Sequence, residues 1–228
     1  MFDSQQLDST QAYSGYSHQT QPQLAVDNTR GFSRIVAFSD GSEQHYQLPK
    51  CRNSKQISVF GLGHNGALSA ICMAALGHKV IGVDLDQRRI NALNQGRTFS
   101  EEEGLPELLS QISSFHNLVA TDDAFNALKR TDFSLICVND DTNDDSDASV
   151  EKLKALCEQI GLSLRYKEHF HNIVFYQHIN ADLLKNVLLP ILETQSGKKA
   201  SQAFGVASVQ SGKDNERTIK RFYQPTQL

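Results

Sequence analysis

From residue 56 onward, short apolar runs alternate with stretches whose apolar residues recur every three or four positions, and this alternation restricts the fold more than any other feature of the chain. The runs "ISVFGL", "KVIGVD", "NLVAT", "SLICVN", "NIVFYQHI" and "AFGVASV" predict strands. Between them, "GALSAICMAAL", "QRRINALN", "LPELLSQISSF", "AFNALKR", "VEKLKALCEQIG" and "ADLLKNVLLPILETQ" predict helices, with Gly77, Gly96 and Gly161 as helix stops. Continuous apolar strands joined by helices need cover on both faces, so the expected fold class is α/β, a doubly wound parallel sheet of the Rossmann type.

The first strand leads into Gly61, Gly63 and Gly66, in G-x-G-x-x-G spacing, and then into an Ala-rich helix; Asp84 closes the next strand. Each part has a mechanical reason. Gly61 permits the tight turn, Gly63 lets the backbone approach a pyrophosphate, and Gly66 allows close contact of helix and strand. Asp84 would accept hydrogen bonds from the adenosine ribose, which favours NAD over NADP. A glycine triplet alone is weak, and glycines also shape turns that hold no ligand. Strand, turn, helix, strand and acid in this order are a stronger signal. Arg89, one helical turn beyond Asp84, reaches the adenosine side or is a solvated helix residue.

The rest of the chain divides by composition. Residues 1–29 hold six Gln, four Ser and three Thr with few aliphatics, which predicts a disordered tail. Residues 30–50 carry an Asp-Gly turn between "FSRIVAF" and "QHYQLP", a small β-hairpin. Residues 55–210 form the expected dinucleotide-binding domain, and 211–228 a polar C-terminal tail. With a formal charge of -4, the chain gives no global pull toward nucleic acid or an anionic membrane. It shows no apolar run of membrane-spanning length and no secretory or organelle leader, so a cytoplasmic protein is expected. Cys51, Cys72, Cys137 and Cys157 lack C-x-x-C spacing and read as three small buried hydrophobes and one loop thiol.

The stretches "ISVFGLGHNGALSA", "LGHKVIGVDLDQRRINALNQGR", "EEEGLPELL", "TDFSLICV" and "SGKKASQAFGV" resemble, in order and spacing, the NAD-binding domain of the UDP-glucose/GDP-mannose dehydrogenase family, with the GDP-mannose branch nearest. The resemblance implies NAD held by Gly61, Leu62, Gly63, His64, Asn65 and Gly66, with Asp84 and Arg89 on the adenosine side. Family members oxidise a nucleotide sugar twice at C6 through a cysteine thioester. Departures lie in the catalytic segments. Val138, Asn139, Asp140 and Asp141 stand where a V-G-T-P-like run is expected, "QHINADL" replaces an S-T-V-x-P-G-T segment, and "ASVQSGKDNER" does not match the segment that supplies a catalytic Glu. The long central helix, the nucleophilic cysteine and the sugar-binding domain are not found in this chain. Cys72, Cys137 and Cys157 lie in apolar helix or strand patterns unsuited to a nucleophile. No catalytic residue is therefore assigned.

Strand order 3-2-1-4-5-6 would set the end of "SLICVN" beside the glycine turn, bringing Asp140, Asp141, Asp144, Asp145 and Asp147 toward the phosphates. One carboxylate about 8 Å from a phosphate costs roughly 2 kcal/mol at an effective dielectric near 20. NAD binding is thus expected to be weak or lost. An EF-hand reading of the acidic run fails, because Ser146 replaces the required Gly and Lys152 the required Glu. His169 and His171 could pair on a metal but lack a third ligand nearby, so no metal site is assigned. The expected function is a degenerate, non-catalytic NAD-binding module, regulatory in nucleotide-sugar metabolism, with a protein partner from polysaccharide synthesis and no nucleic acid or membrane insertion. Two alternatives stand beside it: the N-terminal part of an active dehydrogenase completed by another chain, and a structural protein with a dead nucleotide site.

Overall fold

The computed structural model describes residues 33–39, 42–48, 53–100, 102–112, 116–138, 147–176 and 179–209, the first two segments as backbone. Both expected tails, Cys51 and the aspartates from Asp140 to Asp145 lie outside the described residues. Strands β1 (Ser33–Ser39) and β2 (Ser42–Leu48) pair antiparallel with Ser39 opposite Ser42, the hairpin expected around Asp40-Gly41.

The remaining strands are β3 (Gln56–Phe60), β4 (Lys79–Val83), β5 (Leu118–Thr121), β6 (Phe133–Ile136), β7 (His171–Phe175) and β8 (Phe204–Ser208). They form one sheet in the order β5-β4-β3-β6-β7-β8, with every neighbouring pair parallel. The doubly wound Rossmann sheet is therefore present, and the order reverses between β3 and β6.

Side chains alternate along each strand and fill two cores. Ile57, Val59, Val80 and Leu135 face α1 (His64–Ala75), α2 (Gln87–Asn94) and α3 (Leu105–Ile112), whose Ile71, Ile90 and Leu108 complete that layer. Phe60, Ile81, Ile136, Ile173 and Phe175 face the opposite layer. There α4 (Ala124–Lys129), α5 (Asp147–Arg165) and α7 (Leu189–Ser196) contribute Leu128, Ile160 and Leu192. Gly77 and Gly96, at φ +93° and +71°, stop α1 and α2 as expected, since a left-handed residue is cheapest as glycine.

Gly161 is a correction. It lies inside α5, which continues to Arg165. A Cβ there would come within 2.6 Å of the Gln195 Cβ, so this glycine lets α5 and α7 approach closely. The helix expected over "ADLLKNVLLPILETQ" also differs in detail. It opens as α6 (Ala181–Leu183), widens into a π-helical turn at Leu184–Leu188, and resumes as α7. Pro190 has no N–H to give to the preceding turn, and the wider turn sits directly before it.

A chain of buried polar groups ties β3, β6 and β7 together. Ser58, Thr131, Ser134 and His171 are each at most 1% exposed. Ser58 Oγ lies 2.8 Å from Ser134 Oγ and 3.0 Å from Thr131 Oγ1. Ser134 Oγ lies 2.7 Å from His171 Nε2, while His171 Nδ1 lies 3.0 Å from the Thr131 carbonyl. A carbonyl only accepts, so Nδ1 carries the proton and Nε2 accepts from Ser134. Lys167 Nζ donates to the same Thr131 carbonyl and to those of Leu128 and Lys129, at 2.5, 3.0 and 3.2 Å. Burial, and then the nearby Lys167 charge, pull the His171 pKa down to about 4. His169 and His171, to which no metal site is assigned, are in different surroundings: His171 is committed to this network, and His169 is exposed.

Candidate dinucleotide site

Gly61 leaves β3 at φ +88°, and its N–H donates to the Val83 carbonyl at 2.8 Å. A Cβ on Gly61 would lie 2.6 Å from the Cys137 carbonyl oxygen, and one on Gly66 would lie 1.7 Å from the Gly61 carbonyl oxygen. Only hydrogen fits at either position. The Leu62 side chain folds over Gly82 in β4, where a Cβ would meet Leu62 Cδ2 at 2.8 Å. Gly63 is the N-cap of α1, so no side chain caps this helix, and its first turn holds no acid. That leaves the positive end of the helix dipole facing the turn.

Asp84 fixes the turn from below. Its Oδ2 accepts from the Leu62 N–H at 2.6 Å and its Oδ1 from the Asp86 N–H at 2.9 Å. Arg89 Nη1 stands 3.6 Å from Asp84 Oδ2, so Arg89 is at the carboxylate rather than on an open helix face. Each carboxylate oxygen retains lone-pair capacity for a further donor such as a ribose hydroxyl. His64 opens α1, and its Nδ1 lies 2.8 Å from Ser100 Oγ, tying the loop before α3 to the turn. Asn65 follows it, half-buried.

Seven of the eight residues singled out from the sequence thus lie on the β3–α1 turn or at the end of β4, and the eighth, Arg89, lies in the first turn of α2 beside Asp84. The sequence reading missed Gly82, Cys137 and Ser100. Gly82 did carry a signal, since an isolated glycine within a strand marks close approach of another group. Cys137 and Ser100 act through proximity that no local pattern records. The residues fit a dinucleotide: the backbone cradle would be filled by a Cβ, the helix start is uncapped, and an acid sits at the end of the second strand. The three described cysteines are buried, and burial pushes the Cys157 thiol up to about 12.

Fold and turn together define a Rossmann dinucleotide-binding domain. Residues 55–226 match the model of the UDP-glucose/GDP-mannose dehydrogenase family, NAD-binding domain, and the chain belongs to that family. The GDP-mannose 6-dehydrogenase of Pseudomonas putida is 39% identical over 170 residues, covering 75% of this chain and 39% of that protein. The crystal structure of a ternary complex of GDP-mannose dehydrogenase from Pseudomonas aeruginosa superposes with a TM-score of 0.67 at 34% identity, covering 73% of this chain and 38% of that one. A UDP-glucose dehydrogenase from Pyrobaculum islandicum gives the same TM-score at 26% identity, over 78% of this chain and 40% of that one. The chain thus spans about two fifths of the length of these relatives. Among the described residues, no helix is long and apolar enough to cross a membrane.

Proposed function

We propose that the chain is an NAD-binding module that holds the dinucleotide at Gly61–Gly66 and does not by itself oxidise a nucleotide sugar. The observation that carries this reading is the turn held by Asp84, with the Leu62 N–H at 2.6 Å and no room for a Cβ at Gly61 or Gly66. Bound NAD would supply a hydride acceptor. The turn and the start of α1 would hold its diphosphate, and Asp84 with Arg89 would orient its adenosine ribose. The three described cysteines, all buried, support the non-catalytic part, because covalent oxidation of an alcohol to an acid needs an accessible thiolate. A cytoplasmic, regulatory role in nucleotide-sugar metabolism with a protein partner from polysaccharide synthesis belongs to the same reading.

Affinity is low in this account. The aspartates from Asp140 follow β6, the neighbour of the strand that carries the turn. A penalty of roughly 2 kcal/mol corresponds to about a 30-fold loss of affinity before salt screening. A second reading, the N-terminal part of an active dehydrogenase completed by another chain, rests on the 39% identity to the Pseudomonas putida enzyme over 170 residues. Calorimetric titration with NAD tests the binding. The expected result is weak binding that strengthens several-fold in Asp140→Asn/Asp141→Asn and disappears in Asp84→Ala and Gly66→Ala. Absence of any heat with both the wild type and the Asp140/Asp141 variant would sink it. NADH formed from GDP-mannose or UDP-glucose by the purified chain would refute the non-catalytic part.

A further inference from the structure

We infer that the two ends of the parallel sheet are complementary surfaces through which one copy of this chain docks head to tail on the next. Because all six strands run the same way, every strand start lies along one edge and every strand end along the other. Basic residues gather at the starts. Lys55 precedes β3, Lys79 opens β4, Lys129 and Arg130 precede β6, Arg165 precedes β7 and Lys199 precedes β8, all six exposed. Asp132 and Glu168 are the acids in the same described connections.

The opposite edge carries the other sign. Asp84 and Asp86 already face Arg89 and Arg88. Glu103, Asp122, Asp123, Asp147 and Asp182 are exposed there, with Asp122 accepting from Gln87 and Asp123 capping α4, against Lys152 and Lys185 early in the helices that follow β6 and β7. The Ser100–His64 contact holds the Glu102–Glu103 loop at this edge. Part of the pattern follows the helices, which begin at the strand ends and finish at the strand starts, so that acids and bases oppose their dipoles. That intrachain benefit still leaves two oppositely charged ends facing solvent.

Apolar anchors sit at both ends. Leu85 and Phe99, 84% and 66% exposed, stand at the acidic end. Tyr166 and Phe170, 64% and 47% exposed, flank an open cleft of about 650 Å³ at the basic end, between the α5–β7 and α7–β8 connections. The cations within the cleft are already engaged. Lys167 donates to three carbonyls, Lys198 to those of Leu164 and Lys167, and Arg165 to that of Gln195. The cleft therefore offers aromatic walls; Lys199 beside it is paired with Glu193 at 2.8 Å, so the attraction falls to the exposed Lys55, Lys79, Lys129 and Arg130 along the same edge. Exposed large apolar side chains inside a charged rim are the anatomy of an interface. A second copy is the occupant whose complementary charge and anchors this chain itself displays. Such a contact is heterologous, and it builds rings or open chains.

Sedimentation velocity on the purified full chain tests this. In about 20 mM salt the weight-average sedimentation coefficient should rise with protein concentration, and in about 500 mM salt it should return to the monomer value. Lys129→Glu/Arg130→Glu and Glu103→Lys/Asp122→Lys alter exposed side chains only; each variant alone should stay monomeric, with circular dichroism confirming the fold. An equimolar mixture of the two should associate again, because the reversed basic edge then meets the reversed acidic end. A wild type that is monomeric under all conditions overturns the proposal, as do variants that still associate alone or a mixture that fails to. A monomeric wild type that instead binds a short oligonucleotide through Lys129 and Arg130 would assign the basic edge to a polyanion and overturn it equally.

Discussion

Acidification should destabilise this domain through one buried residue, in a window set by its proton affinity. His171 is fully buried, its Nδ1–H donates to the Thr131 carbonyl, and its Nε2 accepts from Ser134. A second proton on the ring must enter at Nε2. Ser134 would then have to accept there and turn its own proton toward Ser58, which in turn would reorient toward Thr131 or the Phe133 carbonyl. The Lys167 ammonium beside the ring opposes the added charge. With a folded pKa of about 4 against 6.5 in the unfolded chain, the unfolded state takes up the proton first. The stability that the neutral ring confers is complete above pH 6.5 and is lost as pH falls from 6.5 toward 4. At about 1.4 kcal/mol per unit, the loss amounts to roughly 3 kcal/mol. Urea denaturation from pH 7.5 down to about 4 measures it, with His171→Gln as the comparison, since carboxylate titrations are common to both and cancel in the difference. The variant should be less stable at neutral pH by about 1–3 kcal/mol, from imperfect replacement of the two hydrogen bonds, and should lack the extra slope between pH 6.5 and 4. Equal slopes in the two proteins would refute the assignment.

Two further substitutions probe the helical layer beneath the network. Gly161→Ala should cost about 1–3 kcal/mol in urea denaturation by forcing α5 from α7, and should leave NAD titration unchanged because the turn is on the other face of β3. Lys167→Met keeps the aliphatic stem but removes three bonds to carbonyls, so it should cost roughly 2 kcal/mol. In NMR titration it should also shift the His171 midpoint upward, because one of the two causes of its depression is gone.

The strand and helix pattern was legible because parallel strands here are short, mostly apolar runs, and because glycine after α1 and α2 has a single geometric use. The helix "QRRINALN" begins and ends where its sequence says. Gly161 misled because a glycine that ends a helix and one that admits a neighbouring helix look alike until the neighbour is placed. The π-helical turn left no trace in periodicity beyond Pro190. The polar network was hidden by distance along the chain, with Ser58, Ser134 and His171 on three strands. Its one local sign was a serine inside each of two apolar strands, and the sheet register sets those two serines opposite each other. The geometry of the glycine turn was legible, since its glycines and Asp84 are adjacent in sequence or one strand apart. What makes the turn rigid was not, because Leu62 over Gly82 and Cys137 against Gly61 are contacts between strands.

That packing bears on how fast a ligand could be captured. Leu62 locked over Gly82 and held at its amide by Asp84 means that the receiving loop is shaped by its own domain before anything arrives. Capture then requires no folding of the loop, occupancy can follow dinucleotide supply without delay, and release rather than rearrangement sets the lifetime of the complex.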